Sequence, residues 1–224
     1  MCHRGISHMT QVSWSMEHPC FISYAHPIQP WARSLTEKVL GAVGNALSIY
    51  TRSPPFVDNE RLKPGFSPDE VLASAICKSA CMVIIYYPAY LESEYCRREL
   101  EAMREIEERR RNALGRKLHG RRMFLPIVLR GKVQDLPSFV CADNVPLDYS
   151  KQALSSVDIS DQSEVREELF TFAESIVELF NLLKDQKVSS LIDCDSFAVP
   201  PPSPIDQPPA ASPRITVPPF PGRT

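Results

Sequence analysis

The chain has 224 residues, 43% of them hydrophobic, and its 25 Lys and Arg nearly balance 27 Asp and Glu; this excludes disorder throughout and a global electrostatic pull toward nucleic acid. No apolar run approaches the roughly 18 residues of a membrane span. The N-terminal MCHRGISHMTQVSWSM lacks the apolar stretch of a secretory signal, so neither feature is expected.

In chain order, strand and helix alternate. Cys20–Tyr24 (CFISY) is a short apolar run. Pro30 then opens a helix with apolar positions Trp31, Leu35, Val39, Val43 and Leu47. Leu47–Tyr50 and Pro55–Asp58 bracket the second strand region. The loop Asn59–Phe66 follows, with Pro64-Gly65 as its turn signal. Ser67 or Pro68 starts a helix carrying Val71, Leu72, Ala75 and Ile76. Cys81–Tyr86 (CMVIIY) is apolar on both faces, as a central parallel strand should be.

Beyond Pro88 a helix begins near Ser93 and runs to about Arg111. Met123–Leu129 is the next buried strand, where Pro126 suggests a bulge or a short strand. A last short strand is expected within Phe139–Leu147. Asp161 then caps an amphipathic helix with Val165, Leu169, Phe172, Ile176, Leu179, Phe180 and Leu183 inward. This alternation predicts an α/β fold with a parallel sheet and helices on both faces; the arrangement expected is flavodoxin-like, five strands in the order 2-1-3-4-5.

The organisation expected is a flexible N-terminus at 1–18, one domain at 19–187, and a disordered Pro-rich tail at 188–224. Ten of the 21 prolines fall in residues 200–221, where Pro removes donors and fixes φ. Spacings such as Pro201–Pro204 suit either a docking peptide or a linker. Seven cysteines with no CxxC pair read as buried thiols in a reducing cytoplasm, and no metal site is expected. The basic run Arg109–Arg122 reads as a solvated helix end and loop, so neither membrane nor nucleic acid is an expected partner.

In a sheet of this order, ligands bind beyond the carboxyl ends of the strands where strand order reverses, between the first and third strands. The helix ESEYCRRELEAMREIEE begins there. At about 100° per residue, counted from Cys96, an apolar arc holds Tyr95, Ile106, Met103 and Leu100. Glu99 falls inside it at about 300°, whereas Glu94, Glu101 and Glu105 lie near 140–180°. A carboxylate turned toward the sheet is either satisfied by backbone amides or a buried Arg, or it is a catalytic or ligand-binding group. No GxGxxG or GxxxxGK[ST] motif is present, which leaves little support for a dehydrogenase or P-loop enzyme.

Three segments together resemble a known family. FISYAH (Phe21–His26) resembles box 1 of Toll/interleukin-1 receptor (TIR) domains. FVDNERLKPG (Phe56–Gly65) resembles box 2 and its BB loop. SACMVIIYYPAYLESEYCRREL (Ser79–Leu100) resembles the central strand and the motif ending C-x-x-E-L. The resemblance covers roughly Pro19 to Asp185. It implies a bacterial-type member that cleaves the nicotinamide–ribose bond of NAD+, giving nicotinamide and ADP-ribose or a cyclic ADP-ribose. NAD is then a substrate, and no cofactor is needed.

The resemblance makes Glu99 the catalytic acid. Tyr95 stands where the family usually has Trp and offers a face for stacking. Phe21 borders the pocket, and Tyr24 either does so or packs in the core. His26 reaches phosphate or ribose, although the following Pro27 departs from the acid many relatives carry. The BB loop spans Asp58, Asn59, Glu60, Arg61, Leu62, Lys63, Pro64 and Gly65, with Asp58 as a loop-organising acceptor. Implied partners are other TIR domains or copies of this chain, and an activating protein or small molecule in trans. The implied setting is cytoplasmic immune or antiphage signalling. A non-catalytic TIR module acting through TIR–TIR contacts is the alternative.

Overall fold

A computed structural model describes residues 16–57, 67–141, 145–154, 159–188 and 192–201. Five strands, β1 (Phe21–Tyr24), β2 (Phe56–Val57), β3 (Met82–Tyr86), β4 (Phe124–Val128) and β5 (Leu147–Asp148), form one parallel sheet in the order β2-β1-β3-β4-β5. Six helices, α1 (Pro30–Tyr50), α2 (Pro68–Lys78), α3 (Ala89–Glu92), α4 (Glu94–Leu114), α5 (Ser138–Cys141) and α6 (Ser163–Asp185), connect and cover it. One helical layer pairs α1 with α6 and the other pairs α2 with α4. All five side chains of β3 are buried, as a strand with a neighbour on each side and a helical layer on each face requires. No helix among the described residues is long and apolar enough to cross a membrane.

Several local expectations are revised. Leu47–Tyr50 is the last turn of α1, not an approach to a strand; Val43, Ala46 and Leu47 continue one buried stripe, and helical spacing prevails over β propensity. The stripe starts at Thr36, which leaves Trp31 60% exposed. Phe139 lies in α5, and the last strand is only Leu147–Asp148. Gln162, not Asp161, precedes α6, and it makes no side-chain cap. Pro126 causes no bulge, since it pairs in register with Ile84. Its missing N–H faces the β5 side, where pairing begins only at Ile127.

The ends of the domain are longer than expected. Met16 and His18 are buried; His18 joins Lys78 and Ala80 through its backbone, and its Nδ1 lies 3.1 Å from the Pro54 carbonyl. At the other end Val188, Ile192, Cys194 and Phe197 are buried. Cys194 forms a disulfide with Cys77 of α2, so these two are not thiols, while Cys20, Cys81, Cys96 and Cys141 are. The pairing was hidden because Cys194 lies 117 residues away, beside the proline-rich segment. The PxxP spacings from Pro202 onward lie outside the described residues.

The basic run is largely engaged with the protein. Arg110 is fully buried and donates to the carbonyls of Ala80 and Cys77 at 2.9 and 2.8 Å. Burial pulls its guanidinium down to about 10, against the pull of Cys81 and Glu107, so it stays charged at neutral pH. Glu107 accepts from Arg111 and from the Met123 amide. Arg121 pairs with Glu178 of α6, and Arg122 donates to the Phe139 carbonyl. These bonds fasten the end of α4 to α2, β4 and α6.

Two stability outcomes follow. Arg110→Ala strands two buried carbonyls and is expected to cost about 3–5 kcal/mol, read by urea unfolding; an unchanged midpoint would contradict the buried role. Cys194→Ser is expected to cost about 2–5 kcal/mol in the oxidised protein, and equal stability of the two proteins would contradict the crosslink.

Candidate active site

Strand order reverses between β1 and β3, which in open parallel sheets is where a ligand crevice lies. Ala25 follows β1. Tyr87 follows β3, and its hydroxyl donates across the opening to the Ala25 carbonyl. Helix α4 starts at the same end. The Ser93 side chain accepts from the Cys96 amide at 3.3 Å, which satisfies one of the unpaired donors of the first turn. This cap fixes where the helix begins, and hence which side chains its second turn turns toward the sheet.

Glu99 lies in that second turn and is 2% exposed. Ser23 of β1, itself buried, donates its hydroxyl to Glu99 Oε2. Tyr90 of α3 is fully buried, with its hydroxyl 2.6 Å from Ser23 Oγ. Three polar side chains from three elements therefore meet under the crevice, against apolar neighbours such as Ile84 and Leu100. Arg98 is no partner of this carboxylate; it donates to Asp69 of α2 at 2.7 Å and holds that carboxyl below its usual range.

Three tyrosines line the chain leaving β3. Burial pushes the Tyr90 phenol well up, with the charges of Cys96 and Glu99 adding, against a smaller opposing effect of its Ser23 bond. Burial, then Cys96 and Tyr24, raise the Tyr87 phenol. Tyr86 is pushed up to about 12 by burial and by Asp135, to which it is hydrogen-bonded. That contact belongs to the turn after β4, where Gly131 has φ +94 and its Hα side faces the Tyr86 ring; a Cβ there would sit 3.0 Å from it. All three phenols are neutral at ordinary pH and can donate hydrogen bonds.

The remaining sequence-selected residues divide. Tyr95, half-buried, precedes Glu99 by one turn on the same side of α4 and packs on the core. Tyr24 is half-buried and meets the exposed His26 edge-on, with centroids 5.0 Å apart. By strand alternation Tyr24 leaves the sheet on the face opposite Ser23. Phe21 is fully buried and stacks on Phe56 at 5.4 Å, so it is core and does not border an opening. The expected BB loop, Asp58 to Gly65, lies outside the described residues.

Ser23 and Tyr90 were missed. Ser23 is the lone small polar side chain in an apolar strand, two residues after Phe21 on the same face, and that was a readable signal. Tyr90 was not readable, because a four-residue helix has no periodicity. Among the described residues no group of three or more His, Cys, Asp or Glu is placed to hold a metal. An open groove of about 660 Å³ lies elsewhere, between β5 and α6, lined by residues including Leu147, Glu168 and Phe172. Strands β3 and β4 separate it from β1.

The fold is thus a flavodoxin-like α/β domain with a buried carboxylate at its topological switch point. The TIR-domain family model matches residues 20–169, and the chain belongs to the TIR-domain family. No curated protein matches it. Among solved structures it is similar to the TIR domains of the activated Roq1 resistosome directly recognising the pathogen effector XopQ. That likeness has 18% identity, covers 77% of this chain and 93% of that one, and has a TM-score of 0.36, too low to transfer any property.

The raised phenols give a pH outcome. A tyrosine with a raised folded pKa adds stability that is complete below the unfolded value near 10. That stability is lost as pH rises through the folded value. Denaturant midpoints are therefore expected to fall as pH climbs from about 10 to about 12, with native phenolate absorbance lagging that of unfolded chain. Superimposable native and unfolded titrations would contradict this.

Proposed function

We propose that this TIR-domain protein is an NAD+ hydrolase that cleaves the nicotinamide–ribose bond, with Glu99 as its catalytic carboxylate. The observation that carries the reading is the position of Glu99, buried and hydrogen-bonded at the switch point between β1 and β3. Nicotinamide leaves as a neutral base, so the step needs little acid catalysis. The barrier is positive charge developing on the ribose, as in other glycosyl transfers. One oriented carboxylate stabilises that charge, or holds a ribose hydroxyl. Tyr95 offers a ring face one turn away, His26 is exposed just beyond β1, and the first-turn amides of α1 carry no side-chain cap that would compete with a phosphate.

The reading assigns water or the substrate's own adenine as acceptor, giving ADP-ribose or a cyclic ADP-ribose. It puts the protein in immune or antiphage signalling in the cytoplasm, where burial of Cys77 and Cys194 would shield their disulfide from thiol reductants. A second reading, a non-catalytic module that works through TIR–TIR contacts, is favoured by the 2% exposure of Glu99. On the catalytic reading, substrate reaches the carboxylate when self-association or a partner rearranges this end of the domain.

Purified protein incubated with NAD+ is expected to release free nicotinamide, and Glu99→Ala to lower the rate by at least about 100-fold. Specific activity is expected to rise with protein concentration. No release by assembled wild type, or equal release by folded Glu99→Ala, favours the non-catalytic module. Full activity of a dilute monomer would overturn the assembly requirement.

A further inference from the structure

We propose that Ser23 and Tyr90 are positioning residues, acting in series to orient the Glu99 carboxylate for turnover. The role in turnover rests on the reading of Glu99 given above; the hydrogen-bonded chain itself does not.

Its direction follows from proton counting. The single Ser23 hydroxyl proton is donated to Glu99 Oε2. Ser23 Oγ is then left to accept, and the Tyr90 hydroxyl at 2.6 Å donates to it. A neutral phenol is needed for that donation, and burial keeps Tyr90 neutral far into the alkaline range. The Tyr90 ring is fixed in turn, fully buried and edge-on to Tyr86 with centroids 6.3 Å apart. The sequence of donors is therefore Tyr90 to Ser23 to Glu99, from α3 through β1 to α4.

Packing alone does not call for this arrangement. Ser23 sits in a strand whose neighbours Phe21, Ile22 and Ile84 are fully buried and apolar. An Ala there, a Phe at position 90 and a Leu at position 99 would remove the three polar groups together, and replacing buried polar groups by apolar ones of similar shape is often neutral or stabilising. Three polar groups that need one another, converging under the switch-point crevice, fit a carboxylate whose direction matters. A reacting carboxylate has to be held by neighbours that are themselves held. Ser23 is gripped by the β1–β3 ladder, and Tyr90 by its burial, so the chain transmits the rigidity of the sheet to the side chain of a helix.

The series makes Tyr90 act only through Ser23, and a double-mutant cycle tests that. The probe is the Glu99 side-chain carboxyl ¹³C resonance in Glu-labelled full-length protein, assigned by its loss in Glu99→Gln. Nicotinamide release is read beside it, and circular dichroism checks that each variant is folded. Ser23→Ala is expected to move the resonance and to lower kcat roughly tenfold or more, with KM little changed. Tyr90→Phe, which removes one oxygen and keeps the ring, is expected to do both to a smaller degree. In the Ser23→Ala background Tyr90→Phe is expected to add nothing to either.

A resonance unmoved by Ser23→Ala overturns the proposal. So does a Tyr90→Phe effect of the same size in both backgrounds, since the two side chains then act independently. If the resonance follows the series but wild type releases no nicotinamide, the NAD reading fails and the role in turnover falls with it, while the hydrogen-bonded chain stands.

Discussion

A carboxyl group removed from water must be hydrogen-bonded where it sits, because burial without partners is costly. The contact of Ser23 with Glu99 supplies one such bond, and much of the local architecture exists in a form that permits it. Strand β1 must present Ser23 on the α4 face. The Ser93 cap must start α4 so that its second turn, not its first, brings an acid to the sheet. The short helix α3 must carry Tyr90 beneath β1. A one-residue slip of β1 would turn Ser23 to the other face and break its bond to the carboxylate.

The two ends of the sheet solve different problems. At the carboxyl end the polar chain lies under loops of the switch point, with Tyr87 strapping the β3 exit to Ala25. At the amino end the interior is stapled. Arg110 ties α4 to the end of α2 and to the residue leading into β3, and the Cys77–Cys194 disulfide fastens the C-terminal segment to the same helix. Rigid packing at the amino end suits a site at the carboxyl end of a parallel sheet, because chemistry there requires a frame that does not yield.

Much of this was legible in the residues. The parallel α/β sheet followed from strand and helix alternation, and the inward placement of Glu99 followed from helical periodicity, since a 21-residue helix constrains every side chain on it. The three segments Phe21–His26, Phe56–Gly65 and Ser79–Leu100, in order, carried the family as well. What was not legible rests on contacts between distant segments or on elements too short to have a period. Tyr90 reaches Ser23 across 67 residues, and Cys194 reaches Cys77 across 117. Phe21 read as a pocket residue because its motif position suggested it, but the Phe56 ring across the β1–β2 pair claims it for the core. The basic run read as solvated because charge density says nothing of Arg110, one side chain aimed inward.

The central claim is that the negative charge of Glu99, and not merely its shape, acts on NAD+. Glu99→Gln keeps the shape and an oxygen to accept from Ser23 while removing the charge. The most direct measurement is nicotinamide release by this variant beside wild type, at a protein concentration where wild type is assembled. The account predicts release by wild type and its near loss in a Gln variant that folds and assembles normally. Equal release by the two, or none by assembled wild type, would contradict it.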